Sequence, residues 1–165
     1  MSRYGKLLHN ISLTKASCLL KAQKITSIEL VNHCYGLAKF GERELKLNAY
    51  VHLAPSLDLL LEQACAADDR IKRGQPLSAL DGIPISIKAN IACKGLPFHA
   101  CSRILGGDHL PGKDKNGIDD SSSYISDQLI SGYDSDVAQK LINESGAILI
   151  GQTNMDEFGM TIVLV

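Results

Sequence analysis

No apolar run in the sequence approaches the roughly 20 residues that a membrane-spanning helix needs, and the closing stretch Met160 to Val165 is far too short. A spanning helix is therefore excluded, and no membrane is expected among the partners. Charge of one sign is also lacking. A formal net charge of -1 and a pI near 6.5 provide no basic field of the kind that holds a nucleic acid through its phosphates. Direct nucleic-acid binding by this segment is not expected. Proline is scarce at 5 residues, while 45% of residues are apolar and 21% charged. That is the make-up of a globular domain able to bury one core.

Ligand-type spacing is missing as well. The five cysteines, Cys18, Cys34, Cys65, Cys93 and Cys101, are odd in number and contain no CxxC pair, which argues against a disulfide framework or a zinc site. Three of them, Cys18, Cys34 and Cys65, fall in apolar helical patterns, where a free thiol is expected to act as a small buried hydrophobe in a reducing compartment. The five histidines, His9, His33, His52, His99 and His109, show no ligand spacing, so structural or surface roles are expected and no metal is implied. Gly106 and Gly107 lack the phosphate-loop pattern with its Lys-Ser/Thr ending. There are no internal repeats. Acidic residues are absent from Met1 to Ile28, where Arg3, Lys6, Lys15, Lys21 and Lys24 are basic. This resembles an organelle presequence; the competing reading is the wet face of a first helix over 12–24, which leaves little room for a removable peptide.

What is present is a succession of capped helices followed by strands. Ser12 can cap a helix to about Ala22, with Leu13, Ala16, Leu19 and Leu20 on one side. Thr26 and Glu29 form a capping box for a second helix to about Phe40, with Ile28, Val31, Tyr35 and Ala38 on one face and Gly41 placed to end it in a left-handed conformation. An extended stretch, Asn48 to Leu53, precedes a third helix capped by Ser56, whose Leu57, Leu60, Leu61, Ala64, Ala67 and Ile71 recur at three and four residues before Gly74. In DGIPISIKANI, Asp81 to Ile91, Ile83, Ile85, Ile87, Ala89 and Ile91 alternate with Pro84, Ser86, Lys88 and Asn90, which predicts a strand from about Ile83. Ser135 to Glu144 reads as a helix stopped by Gly146, and Ala147 to Ile150 as a short buried strand. Strand, crossover helix and strand make a βαβ unit. Between them, Gly106 to Gly132 reads as a long loop, and its Ser121, Ser122 and Ser123 as a low-complexity run inside an insertion. The predicted class is α/β: a helical layer over 1–74, then a lysine strand and βαβ unit of a mixed sheet over 81–160.

Two stretches can carry chemistry. Lys88 lies on the polar side of its strand between Ser86 and Asn90. A lysine taken out of water loses hydration, which favours its neutral amine and makes it a proton acceptor near neutral pH; the other reading of the same pattern is a lysine pointing to solvent. The second stretch is GQTNMDEFGM, Gly151 to Met160. Loops leaving the carboxyl ends of strands form the ligand crevice of an α/β sheet, so Thr153, Asn154 and Asp156, together with Asn90, are candidates for lining it. Asp156 and Glu157 also fit as helix-start charges favoured by the helix dipole.

Taken in order, DGIPISIKANI and then GYDSDVAQKLINESGAILIGQTNMDEFGM resemble the amidase signature family. TNMDEF is similar to the branch formed by the A-type subunits of glutamyl-tRNA(Gln) amidotransferases. The resemblance begins at SLTKASCLLKAQKITSIEL, includes LNAYV and AADDRIKRG, and leaves out only the insertion after Gly106. It implies a triad of a lysine, a serine held in a cis peptide conformation and a nucleophilic serine, with Lys88 at the lysine position as base, and an oxyanion held by backbone N–H groups. It further implies glutamine as ammonia donor, B-type and C-type partner subunits that amidate Glu-tRNA(Gln), and ATP and magnesium used by the partner, with no cofactor in this chain. A eukaryotic source implies mitochondria, and any other the cytoplasm.

Two departures qualify the resemblance. Ala89 stands where the family usually has an acidic residue. After Phe158-Gly159-Met160 the family continues toward a Gly/Ser-rich segment holding both serines, whereas here Thr161-Ile162-Val163-Leu164-Val165 follows. Ser121, Ser122 and Ser123 precede the crossover helix and lack the flanking glycines. The expectation is a truncated, incomplete front part of the fold, inactive alone, with Ala147 to Ile150 and Ile162 to Val165 left as unpaired edges. The alternatives are a different amidase-signature hydrolase, or a non-catalytic form that binds the partner.

Overall fold

Side-chain oxygens start each long helix. In the computed structural model, which describes Leu8, residues 11–106 and residues 129–160, Ser12 accepts the Lys15 N–H at 3.3 Å and opens α1, Leu13–Lys21. Thr26 and Glu29 close the predicted capping box at the start of α2, Ser27–Arg43. Ser56 caps α3, Leu57–Lys72. Gly74 takes a φ of 70° after it, as its position predicts.

Three local expectations fail. Gly41 does not end α2: it is buried inside the helix, where a Cβ would meet Leu47 at 3.2 Å. Helix α2 ends at Arg43, and the left-handed residues lie further on at Lys46 and Asn48. Close packing by Leu47, rather than a turn, accounts for a small residue at 41. Leu13 is 54% exposed although it sits at helical spacing from Leu20, because α1 buries only the stripe of Ala16, Ser17 and Leu20. Cys18 and Cys65 are likewise exposed rather than buried; Cys34 is half-buried and Cys93 buried. The helices of Cys18 and Cys65 turn those positions away from the core.

The sheet has three strands in the order β1-β3-β2. β2, Pro84–Lys88, runs parallel to β3, Ile148–Thr153, with Lys88 opposite Thr153. β1, Tyr50–Leu53, runs antiparallel to β3. Among the described residues β3 is thus the central strand: Gly151 to Thr153 pair on both sides, whereas Ile148 and Leu149 pair with β2 alone, so the open edge expected at Ala147 to Ile150 is closed on one side only. It is also longer than its apolar run, because Gly151, Gln152 and Thr153 continue the ladder. Ile162 to Val165 lie outside the described residues. The alternation in β2 is as predicted: Ile83, Ile87 and Ala89 are buried and Ser86, Lys88 and Asn90 exposed.

Helices cover both faces. On one, Val31, Tyr35, Leu60 and Ala64 of α2 and α3 pack on Ile148 and Ile150. On the other, Ala138 and Ile142 meet Ile85, Ile87 and Leu149. That second helix begins as α5, Asp136–Ala138, capped by Ser135, and widens into a π-helix over Gln139–Glu144 before Gly146 at φ 76°. A third cluster joins Ala16, Leu20, Leu30, Ile71 and Ile83. Asp81, with a side chain 1% exposed, receives Arg70 Nη2 at 2.6 Å and Nε at 2.9 Å. It also accepts the Leu77 N–H at 2.9 Å, so the end of α3 is tied to the lysine strand. A short helix, α4, Arg103–Gly106, leads into the predicted long loop. The end pairs as a bridge between Ile130 and Pro97. Ser121, Ser122 and Ser123 lie outside the described residues.

Candidate active site

β2 and β3 are parallel, so their carboxyl ends finish side by side, and the segments leaving them meet. Lys88 is the last residue of β2 and is exposed. The solvent-facing reading of its pattern holds among the described residues, which do not bury its amine. Thr153, its neighbour in register, accepts the Ala89 N–H through its carbonyl at 3.1 Å. Asn90 is exposed in the turn after β2, with its amide nitrogen 4.0 Å from where a Cβ on Gly159 would stand. Asp156 is exposed and precedes a 3-10 turn, Glu157–Gly159, without a side-chain capping bond.

Asn154 is placed differently. Its amide nitrogen donates to the Asn48 carbonyl at 3.0 Å and its amide oxygen accepts the Met155 N–H at 2.8 Å. Both functional atoms are engaged in fastening the segment after β3 to the approach of β1, which is a scaffolding task. The structure therefore brings Lys88, Asn90, Thr153 and Asp156 to one end of the sheet and uses Asn154 to hold that end together. On the same strand as Lys88, Ser86 shares a 2.8 Å hydrogen bond with the Tyr50 hydroxyl. A cavity of about 410 Å³ beside them is lined by Leu37, Gly41, Leu47, Tyr50, Pro84 and Ser86; Lys88 is not part of its wall.

A second group of residues reaches this end from the loop before α4. The Ala100 carbonyl accepts the Phe158 N–H at 3.0 Å, and Ser102 Oγ donates to Glu157 Oε1 at 2.8 Å. Burial pushes the Cys101 thiol up, against smaller downward pulls from a Met155 backbone hydrogen bond and the charge of Lys88. Glu157, read from sequence as a helix-start charge, thus serves as an acceptor for this loop. Beneath it, His99 Nε2 lies 3.3 Å from His52 Nε2. Burial, and secondarily the His99 imidazole, lowers His52 to about 4; burial lowers His99 too. Both shifts favour the neutral ring. Gln152, opposite His52 in register, is fully buried, and among the described residues its amide atoms and His99 Nδ1 meet no hydrogen-bond partner. Sequence reasoning missed this cluster because His52, His99 and Gln152 lie on three separate segments with no shared spacing. Among the described residues no group of three His, Cys, Asp or Glu could hold a metal ion, and no helix is long and apolar enough to cross a membrane.

Comparison with known proteins agrees with this architecture. The Amidase family model matches residues 33–115. The A-type subunit of glutamyl-tRNA(Gln) amidotransferase from Chloroflexus aurantiacus is 37% identical over 153 residues, covering 93% of this chain and 26% of that protein. Its mitochondrial counterpart from Homo sapiens is 36% identical over 149 residues, covering 90% of this chain and 23% of its own length. The chain spans about a quarter of the length of these curated relatives. Among solved structures, native peptide amidase from Stenotrophomonas maltophilia superposes with a TM-score of 0.67 at 21% identity, covering 94% of this chain and 26% of that one. A bacterial aryl acylamidase of the amidase signature family gives 0.64 at 26% identity, with 92% and 26% covered. The α/β layers, the mixed sheet and these matches agree that the chain is an N-terminal part of the amidase fold and belongs to the amidase signature family.

Proposed function

We propose that these residues form the lysine-bearing part of an amide-cleaving site, in an A-type amidotransferase subunit that releases ammonia from glutamine for conversion of Glu-tRNA(Gln) to Gln-tRNA(Gln). The observation that carries this reading is the position of Lys88. It stands at the carboxyl end of a strand parallel to β3, beside the segment that leaves β3, where an α/β sheet holds its ligand.

In this reading Lys88 is the base. Its amine takes a proton from a bridging serine, which deprotonates the nucleophilic serine as that attacks the amide carbonyl. Both serines and the oxyanion-binding backbone belong to the Gly/Ser-rich segment of the family and are not among these 165 residues. Polypeptide covering the exposed amine would also supply the desolvation that a lysine base requires. A polypeptide of these residues alone has a base without a nucleophile, and losing the nucleophile of a triad removes most of its catalytic power. Asn90, Thr153 and Asp156 line the crevice. B-type and C-type subunits are the partners, and ATP and magnesium serve the partner's amidation step. For a eukaryotic source the location is mitochondrial, as it is for the human relative.

Sequence favours this branch over other amidases, since the amidotransferase relatives are 36–37% identical and the solved amidases 21–26%. The test is a substrate comparison with the full polypeptide that carries this segment, together with its partner subunits. Ammonia release from glutamine, stimulated by Glu-tRNA(Gln) and ATP, is expected. Hydrolysis of peptide amides or anilides in preference to glutamine, without response to tRNA, contradicts the amidotransferase assignment and leaves a different amidase-signature hydrolase.

A further inference from the structure

Ala100 and Cys101 are consecutive residues in the left-handed region, with φ of 47° and 54°. A side chain there crowds the following carbonyl, so a loop of this shape persists only where its surroundings fix it. It matters where the loop goes. Through the Ala100 carbonyl and the Ser102 hydroxyl it meets Phe158 and Glu157. These belong to the segment that forms the crevice wall next to Lys88.

Immediately before the two left-handed residues stands His99, 2% exposed. Its ring centroid is 5.5 Å from that of His52 while the two Nε2 atoms are 3.3 Å apart, so both nitrogens lie between the rings and face each other. A tetrahedral zinc would take its two imidazole nitrogens at an angle rather than head-on. The head-on approach is that of an N–H···N hydrogen bond between neutral rings, one donating and the other accepting. His52 belongs to β1, whose ladder with β3 is fixed by backbone pairing. The imidazole pair therefore ties the strained loop to the sheet.

We propose that His99, held by His52, is a positioning residue for the candidate active site: the pair fixes the His99–Ser102 loop and through it the Glu157–Phe158 wall beside Lys88. This rests on the reading of Lys88 as the base. Neither histidine touches the reacting atoms. Their effect is on the distance between wall and base, and a misplacement of about 1 Å from a remote change costs up to about 100-fold in rate.

The test uses the full polypeptide with its partner subunits and follows ammonia release from glutamine. His99→Phe keeps the ring and removes the nitrogen. Its kcat is expected to fall roughly 10- to 100-fold with KM nearly unchanged. His99→Gln, whose side-chain amide can restore a donor and an acceptor, regains most of that rate. His52→Phe reproduces the loss, and the double substitution is no worse than either single one, because both remove one shared contact. A general loss of stability would give neither the rescue nor the non-additivity. A His99→Phe kcat within about twofold of the parent overturns the proposal, as do losses that multiply in the double variant. Should His99→Phe not fold, His52→Phe, at a half-buried position, carries the same comparison. Lys88→Ala in parallel separates the two claims. Activity lost there but kept in His99→Phe defeats the positioning role alone, whereas activity kept in Lys88→Ala defeats the reading of the crevice and the positioning role with it.

Discussion

Removing Arg70 should cost more stability than removing Asp81, although each change breaks the same ion pair. The Asp81 side chain is 1% exposed and that of Arg70 27%. If Arg70 becomes alanine, a carboxylate stays buried with the Leu77 N–H as its remaining hydrogen-bond donor. An uncompensated buried charge of this kind costs about 3–5 kcal/mol. If Asp81 becomes alanine, the guanidinium can turn to water, and the loss is a charge-assisted pair plus one unpaired backbone N–H, about 2–3 kcal/mol. Asp81→Asn keeps one acceptor for Leu77 and Arg70 and should cost less than either. Replacing both partners with apolar residues of similar size should cost less than the sum of the two single losses. Urea denaturation of the full polypeptide gives the comparison, through the shift of the midpoint at constant slope. An Asp81→Ala loss equal to or larger than that of Arg70→Ala would refute the reasoning.

Other consequences concern charge at buried positions. His52 is lowered to about 4 in the folded protein from an ordinary value near 6.5, so the unfolded chain binds the proton more readily between those pH values. The stability contribution is present above pH 6.5, is lost as pH falls toward 4, and changes little below that. Between pH 7 and pH 5 the loss is about 1–2 kcal/mol for this half-buried ring, and His52→Phe should flatten the profile in denaturation series at the two pH values. Asp68 in α3 accepts the Ser27 N–H at 2.7 Å and the Ile28 N–H at 3.4 Å, so it neutralises the amino end of α2 from another helix. Asp68→Ala should lower stability by about 2–3 kcal/mol, and Asp68→Asn by clearly less, as read from urea midpoints.

Local chemistry made the secondary structure legible. Thr26 with Glu29, Ser12, Ser56 and Ser135 all cap the helices they precede, because each needs only a side-chain oxygen within three residues of a free N–H. The isoleucine alternation of β2 fixed which side Lys88 shows. Gly41 misled because a glycine at a helix end and a glycine under a neighbouring side chain look alike in sequence, and only the approach of Leu47 distinguishes them. The extent of β3 was hidden for a related reason: Gly151 and Gln152 break the apolar run, yet pairing on both sides keeps them in the ladder. A Cβ at Gly151 would meet the His52 carbonyl at 2.5 Å, a demand set by a strand almost a hundred positions away in sequence. The site was legible in part. Lys88, Asn90, Thr153 and Asp156 gather as the parallel-strand rule predicts, whereas Asn154 is diverted by the Asn48 carbonyl, and the His52–His99 contact depends on how β1 folds back onto β3.

Lys88 is the point on which the account stands, and the rate of ammonia release from glutamine by matched preparations of the parent polypeptide and its Lys88→Met form tests it directly. Methionine keeps the length of the side chain and removes the proton acceptor. A fall in kcat of about 1,000-fold or more is expected with the fold intact. A Lys88→Met enzyme that retains a rate within about tenfold of the parent would show that this lysine is not the base.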